Sequence, residues 1–123
     1  MNLDNEYQFF PFPLEKRKCI SKKLMLTNPD RIPVIVIFDK NILSNITTLK
    51  NIKILLDRRS TLGSIINIIR EKLQGTNIHK KSLFIMCNNY VISLMEEAQI
   101  VYNKYCNEDG FLYLNCFLEN TFG

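Results

Sequence analysis

Four cysteines, one histidine and a glycine at the end are the residues of this 123-residue chain from which covalent chemistry could start. The cysteines, Cys19, Cys87, Cys106 and Cys116, form no CxxC pair, and His79 is the sole histidine, so metal-ligand spacing is absent. Free thiols in a reducing cytosol are expected. A cysteine nucleophile needs a base within hydrogen-bond reach, and His79 sits in "GTNIHKK" with no carboxylate beside it in sequence. It reads as a solvated loop residue, and neither an enzyme, a metal nor a cofactor is expected. The remaining candidate is Gly123, which closes "FLENTFG". Lacking a Cβ, glycine reaches conformations barred to other residues, and an apolar residue followed by a bare glycine a few residues beyond a strand-like run asks for a reason. The plain alternative is a frayed or truncated tail.

The elements that would position such a tail must come from one domain's worth of chain, 46% hydrophobic and 23% charged, enough for a real core in a soluble protein. The longest apolar run, Ile32 to Phe38, falls far short of the roughly 20 residues a membrane span needs. The first residues, "MNLDNEYQFF", carry acids where a secretory signal carries bases, so a cytoplasmic protein is expected. The "NIT" run at Asn45 matches a glycosylation pattern, which has no meaning without export. Net charge is +4, with 15 bases and 7 acids in residues 1–94 but 1 base and 5 acids in 95–123. That field is oriented, yet too mild to argue for nucleic acid.

Along the chain, "LEKRKCISKKLML" reads as an amphipathic basic helix, with Leu14, Cys19, Ile20, Leu24 and Met25 near one stripe and Lys16, Arg17, Lys18, Lys22 and Lys23 elsewhere. It ends before "NPD", because Pro29 disfavours a helical Asn28. The strand "RIPVIVIF" has two apolar faces, Ile32, Val34, Val36 and Phe38 on one and Pro33, Ile35 and Ile37 on the other, so both must be covered. After a polar loop, "NIKILLD" reads as a second strand. "STLGSIINIIREKLQG" follows as a helix with Ser60 as cap, Gly75 as stop, and Leu62, Ile65, Ile66, Ile69 and Leu73 as its buried stripe; Gly63 marks close packing at its first turn. "SLFIMCNN" is a third strand ending in an Asn-Asn turn. "EEAQIVYNKYC" is a short helix with Ala98, Val101, Tyr102 and Tyr105 at helical spacing. "GFLYLNCFL" is a last strand, again apolar on both faces: Leu112, Leu114 and Cys116 against Phe111, Tyr113 and Phe117.

This order is that of an α+β, ubiquitin-like β-grasp with a four-stranded mixed sheet, in which the first and last strands pair at the centre and the long helix crosses one face. Residues 1–28 would form an N-terminal helical extension covering the other face, and 29–123 the grasp domain, as one compact unit. The aromatic words before the first helix, Tyr7, Phe9, Phe10 and Phe12, allow two readings: packing as part of that cover, or dipping into a bilayer interface.

Several words make a resemblance specific: "LEKRK" at 14–18, "NPDRIPVIV" at 28–36, "TLGSIINIIREKL" at 61–73, "NN" at 88–89, "EDGFLY" at 108–113 and "ENTFG" at 119–123. From about Pro13 onward the chain resembles the autophagy ubiquitin-like modifiers of the GABARAP and microtubule-associated protein light chain type. The resemblance implies that the Gly123 carboxylate is activated with ATP by a partner enzyme, passed as a thioester to partner cysteines, and joined as an amide to phosphatidylethanolamine. Activating, conjugating and deconjugating enzymes are the implied partners, with receptors bearing short aromatic-x-x-aliphatic motifs and, after lipidation, the autophagosome or a related membrane. No nucleic acid is implied.

The same resemblance implies that the receptor peptide adds to the edge of the second strand and fills two apolar pockets. The first would be made by Ile20, Leu24, Pro33, Ile35, Lys53, Leu55 and Phe111. The second would involve Ile54, Leu56, Leu62, Ile65 and Ile68, with Arg31 and Lys72 near by for acidic ligand residues. On periodicity alone, the apolar members could equally be core. The chain departs from the family pattern where Asp57 replaces a proline, Ile54 an aromatic residue and Ile20 an acid, where "VISLMEE" follows the asparagines, and where the 39–50 loop is longer. Two other functions fit the residues: a sister modifier joined to a protein lysine, and an unconjugated basic module using Lys16 to Lys23 with Arg58 and Arg59 on nucleic acid or a filament. The latter would bind with a steep salt dependence.

Overall fold

A computed structural model describes residues 12–44, 51–78 and 80–119. Its elements are α1 (Leu14–Thr27), β1 (Arg31–Phe38), α2 (Lys40–Leu43), β2 (Asn51–Asp57), α3 (Gly63–Lys72), β3 (Leu83–Cys87), β4 (Tyr90–Val91), α4 (Ala98–Tyr105) and β5 (Leu112–Leu118). The sheet order is β2-β1-β5-β3-β4, with β1 and β5 parallel at the centre and the other neighbours antiparallel. The doubly apolar strands are therefore the central ones, as burial on both faces requires. This is the expected α+β, ubiquitin-like arrangement, with one correction. The sheet has five strands rather than four, because Asn88 (φ 50°) and Asn89 (φ 69°) turn the chain back into the two-residue β4. Two consecutive left-handed residues make the tight turn that matches strand twist in a hairpin.

The two faces of the sheet are built differently. On one, Ile32, Val34, Val36 and Phe38 of β1 and Leu112, Leu114 and Cys116 of β5 meet Leu62, Ile65, Ile66, Ile69 and Leu73 in a continuous buried core, joined by Ala98 and Val101 of α4. The helical period read from the sequence thus selects the buried stripe of α3 correctly. On the other face, Ile35, Phe111 and Tyr113 form a smaller cluster against which Phe12, Ile20, Leu24 and Ile37 pack.

Local details correct three expectations. Ser60 does not cap α3: its hydroxyl donates to the Asp57 carbonyl (2.7 Å), and the N-cap position is Leu62. The donors at the helix start are satisfied by backbone instead, Leu62 N–H to Glu96 O (3.0 Å) and Gly63 N–H to Leu94 O (2.8 Å). That approach explains Gly63, where a Cβ would lie 3.2 Å from the Leu94 carbonyl. The polar loop after β1 begins with the one-turn helix α2, which buries Ile42 completely. Finally, the buried residues of α1 are Arg17 and Ser21, while Cys19 is exposed. The apolar stripe of Leu14, Cys19, Ile20, Leu24 and Met25 is thus only partly in contact with the sheet.

Candidate functional site

The β1–β2 register sets Pro33 opposite Leu55 and Ile35 opposite Lys53. Strand alternation directs these four toward the α1 side of the sheet. There the structure gathers the residues expected in the first pocket. Ile35 and Phe111 are buried in the small cluster and Ile20 and Leu24 pack against it. Pro33 is buried, Leu55 is half-buried and Lys53 is exposed at the rim. Three residues that sequence reasoning did not assign to this pocket, Phe12, Ile37 and Tyr113, belong to the same cluster. β2 is an edge strand, so one side of its backbone faces away from the sheet.

The residues expected in the second pocket divide. Leu56, Leu62 and Ile65 lie in the core at 4%, 0% and 0% exposure, whereas Ile54 and Ile68 are half-buried. Any side chain bound between β2 and α3 would meet Ile54 and Ile68 first. Of the two bases, Arg31 is exposed at the start of β1, opposite Asp57, and Lys72 is exposed as the last residue of α3. Asp57, the acid in place of a proline, shapes the turn that follows. Its carboxylate accepts from Arg59 N–H (2.9 Å) and its carbonyl from Ser60 N–H (3.0 Å).

Beside the Ile35–Phe111–Tyr113 cluster lies a polar network that the sequence reading did not foresee. Asp109, 1% exposed, accepts from Arg17 Nε at 2.9 Å and from the Tyr113 hydroxyl through the same Oδ2, while its Oδ1 accepts from Phe111 N–H at 2.9 Å. Arg17 Nη1 also donates to the Phe12 carbonyl (2.7 Å), and the Ser21 hydroxyl donates to the Asp109 carbonyl. Gly110 stands at φ +89°, and a Cβ there would lie 2.4 Å from Ser21 Oγ, so α1 seats directly on this turn. Such a pair, taken out of water, holds only because every partner is in place. The signal was present as Arg17, Ser21 and Leu24 at i, i+4 and i+7 together with the lone "DG" turn in "EDGF".

All four cysteines carry free thiols. Burial pushes the Cys87 thiol up to about 11 and that of Cys116 up to about 12, the latter eased by Arg70 and reinforced by Asp39. These two thiols stay protonated and serve as packing groups, with Cys87 Sγ donating to the Tyr113 carbonyl (3.4 Å). Gly123, His79, Asn45 and the aromatics Tyr7, Phe9 and Phe10 lie outside the described residues. Among the described residues no helix is long and apolar enough to cross a membrane.

Fold and site together define a ubiquitin-like protein with a helix-covered second face. Residues 16–123 match the family described as "Autophagy protein Atg8 ubiquitin like", and the chain belongs to that family. It is 32% identical over 111 residues to autophagy-related protein 8d of Arabidopsis thaliana, covering 90% of this chain and 89% of the relative. Among solved structures it is similar to Trypanosoma brucei ATG8, with a TM-score of 0.73 and 27% identity over 93% of this chain and 95% of that one. It is also similar to Plasmodium falciparum Atg8 in complex with a P. falciparum Atg3 peptide, with a TM-score of 0.71 and 22% identity, over 94% of each chain.

Proposed function

We propose that this protein is an autophagy modifier conjugated through Gly123 to phosphatidylethanolamine, and that it acts as the modifier rather than as an enzyme. The carboxylate would be adenylated with release of pyrophosphate, transferred to a partner cysteine with release of AMP, and then attacked by the lipid amine with release of that thiol. A protein of the cytoplasm would thereby become one of the autophagic membrane. The observation that carries the reading is that the family match runs to Gly123 itself. Activating, conjugating and deconjugating enzymes are the partners it needs. The Atg3 peptide bound to the Plasmodium protein supports a conjugating enzyme as one of them.

We further propose that receptors with aromatic-x-x-aliphatic motifs add to the outer edge of β2. The aromatic residue would enter at Leu55 and Lys53 over Ile35 and Phe111, and the aliphatic one would rest on Ile54 and Ile68. The exposed Asp57 would disfavour acidic residues at that end of the peptide.

Incubation with ATP, the cognate enzymes and phosphatidylethanolamine liposomes tests conjugation. A lipidated species that disappears when Gly123 is deleted is expected. Transfer to a protein lysine with none to lipid would replace this reading with that of the sister modifier. Membrane recruitment that survives the deletion would favour an unconjugated basic module.

A further inference from the structure

The turn between β2 and α3, "DRRST" at 57–61, carries charge that the fold does not use. Its backbone is tied down: the Asp57 carbonyl accepts from Ser60 N–H, the Arg58 and Ser60 carbonyls accept from Gln99 and Ala98 N–H, and Thr61 pairs with Glu97 in an isolated bridge. The arginine side chains are not. Among the described residues neither Arg58 nor Arg59 forms an ion pair, and Arg58 Nε is buried without a hydrogen-bond partner. A buried donor left unpaired costs stability, so its retention asks for a role outside folding. The hydroxyls of the turn also divide. Ser60 Oγ donates to the Asp57 carbonyl at 2.7 Å and Ser64 Oγ to the Thr61 carbonyl at 2.8 Å. The Thr61 side chain is exposed, and its hydroxyl makes no hydrogen bond among the described residues.

We propose that Thr61 is a phosphorylation site for an arginine-directed protein kinase, with Arg58 and Arg59 first as the recognised bases and then as partners of the phosphate. The inference does not rest on conjugation at Gly123. The two guanidinium groups belong to the residues three and two positions before the acceptor, where paired carboxylates of a kinase groove can take both. Recognition lies on that side, because Leu62, just after the acceptor, is fully buried. In the transfer, Thr61 Oγ1 attacks the γ-phosphorus of ATP and the bond from that phosphorus to the ADP oxygen breaks. ADP leaves, and the hydroxyl proton passes to the kinase's base. The product sets strong acceptor oxygens beside two arginines and offers Arg58 Nε the class of partner it lacks. Glu97, facing Thr61 across the bridge, is exposed and free to turn toward water. Two arginines and Asp57 give the turn a charge of +1. A phosphate of about −2 makes it about −1, so the corner at the end of β2 changes sign.

The folded full chain, incubated with magnesium ATP and the catalytic subunit of a cyclic-nucleotide-dependent protein kinase as an arginine-directed probe, tests this by site mapping in fragment mass spectra. One phosphoryl group on Thr61 is expected. Thr61→Val should abolish it. The R58Q/R59Q variant keeps the hydroxyl and should be modified about tenfold more slowly or worse. Since that variant removes an unpaired buried donor, its unfolding midpoint should not fall, which certifies its fold. The chain extracted from its own cells with phosphatases inhibited should carry the same group on Thr61. No incorporation in the unsubstituted chain would overturn the proposal. So would phosphate on Ser60, Ser64 or Ser82 in place of Thr61, equal rates in the double variant, or a Thr61 always found bare in cells.

Discussion

The two faces of the central sheet solve the same burial problem with different chemistry. The α3 face is a core of interdigitated aliphatic side chains, with Ile65, Ile69, Leu73, Leu112 and Leu114 all fully buried. The α1 face has a three-residue aromatic and aliphatic cluster and, beneath the helix, the Arg17–Asp109–Tyr113 network. Apolar burial is non-directional and tolerates small shifts, whereas a buried ion pair holds only in one geometry. The first face thus fixes that the chain folds, and the second fixes where α1 sits. Because Ile20 and Leu24 of α1 pack against Ile35, Phe111 and Tyr113, the seat of that helix also sets the shape of this cluster, where the proposed receptor motif would dock.

The largest effect should come from the core. Leu73→Ala opens a cavity under α3 and is expected to cost about 2–5 kcal/mol, read as a loss of global stability in denaturant unfolding. Equal damage from an alanine at exposed Lys72 would contradict it. Asp109→Ala should act differently. Leaving a buried partner uncompensated costs roughly 3–5 kcal/mol where the charge cannot escape, but Arg17 retains 10% exposure and can reach water if α1 lifts. The unfolding midpoint should therefore move less than for Leu73→Ala, while amide hydrogen exchange in residues 14–27 accelerates far more than in 63–72. Uniform acceleration in both helices would merge the two faces into one cooperative unit and remove the distinction.

The smallest effect is the pH dependence of the α3 face. Cys116 has a folded value of about 12 against an ordinary 9.0, and Cys87 about 11. Since the unfolded chain loses these protons first, the stability they contribute is complete below about pH 9 and declines as the pH rises toward the folded values. Cys116→Val, nearly isosteric, should flatten the alkaline limb of stability against pH. An unchanged limb would assign it to other groups.

What the sequence made legible follows the same division. The stripe of α3 and the paired apolar faces of β1 and β5 were readable because side-chain period alone determines them. The seat of α1 was not, because its buried residues, Arg17 and Ser21, are types that normally face water, and their partner Asp109 is remote in sequence. Ser60 misled for a related reason: the start of α3 is capped by backbone from residues 94–96, which no local motif announces. β4 is too short to show an alternation, although the asparagines before it announced the turn. The members of the first pocket came together because strand register follows from the hairpin of β1 and β2. Leu56, Leu62 and Ile65 proved to be core, as their periodicity equally allowed.

The account rests on Gly123 being the point of attachment. The most direct measurement is the intact mass of the protein extracted from its own cells, compared with that of the chain lacking the terminal residue. A species heavier than the chain ending at Gly123 by one phosphatidylethanolamine less water, and lost on deletion, is predicted. A protein found always at its bare mass, or carrying the same addition after the deletion, would contradict it.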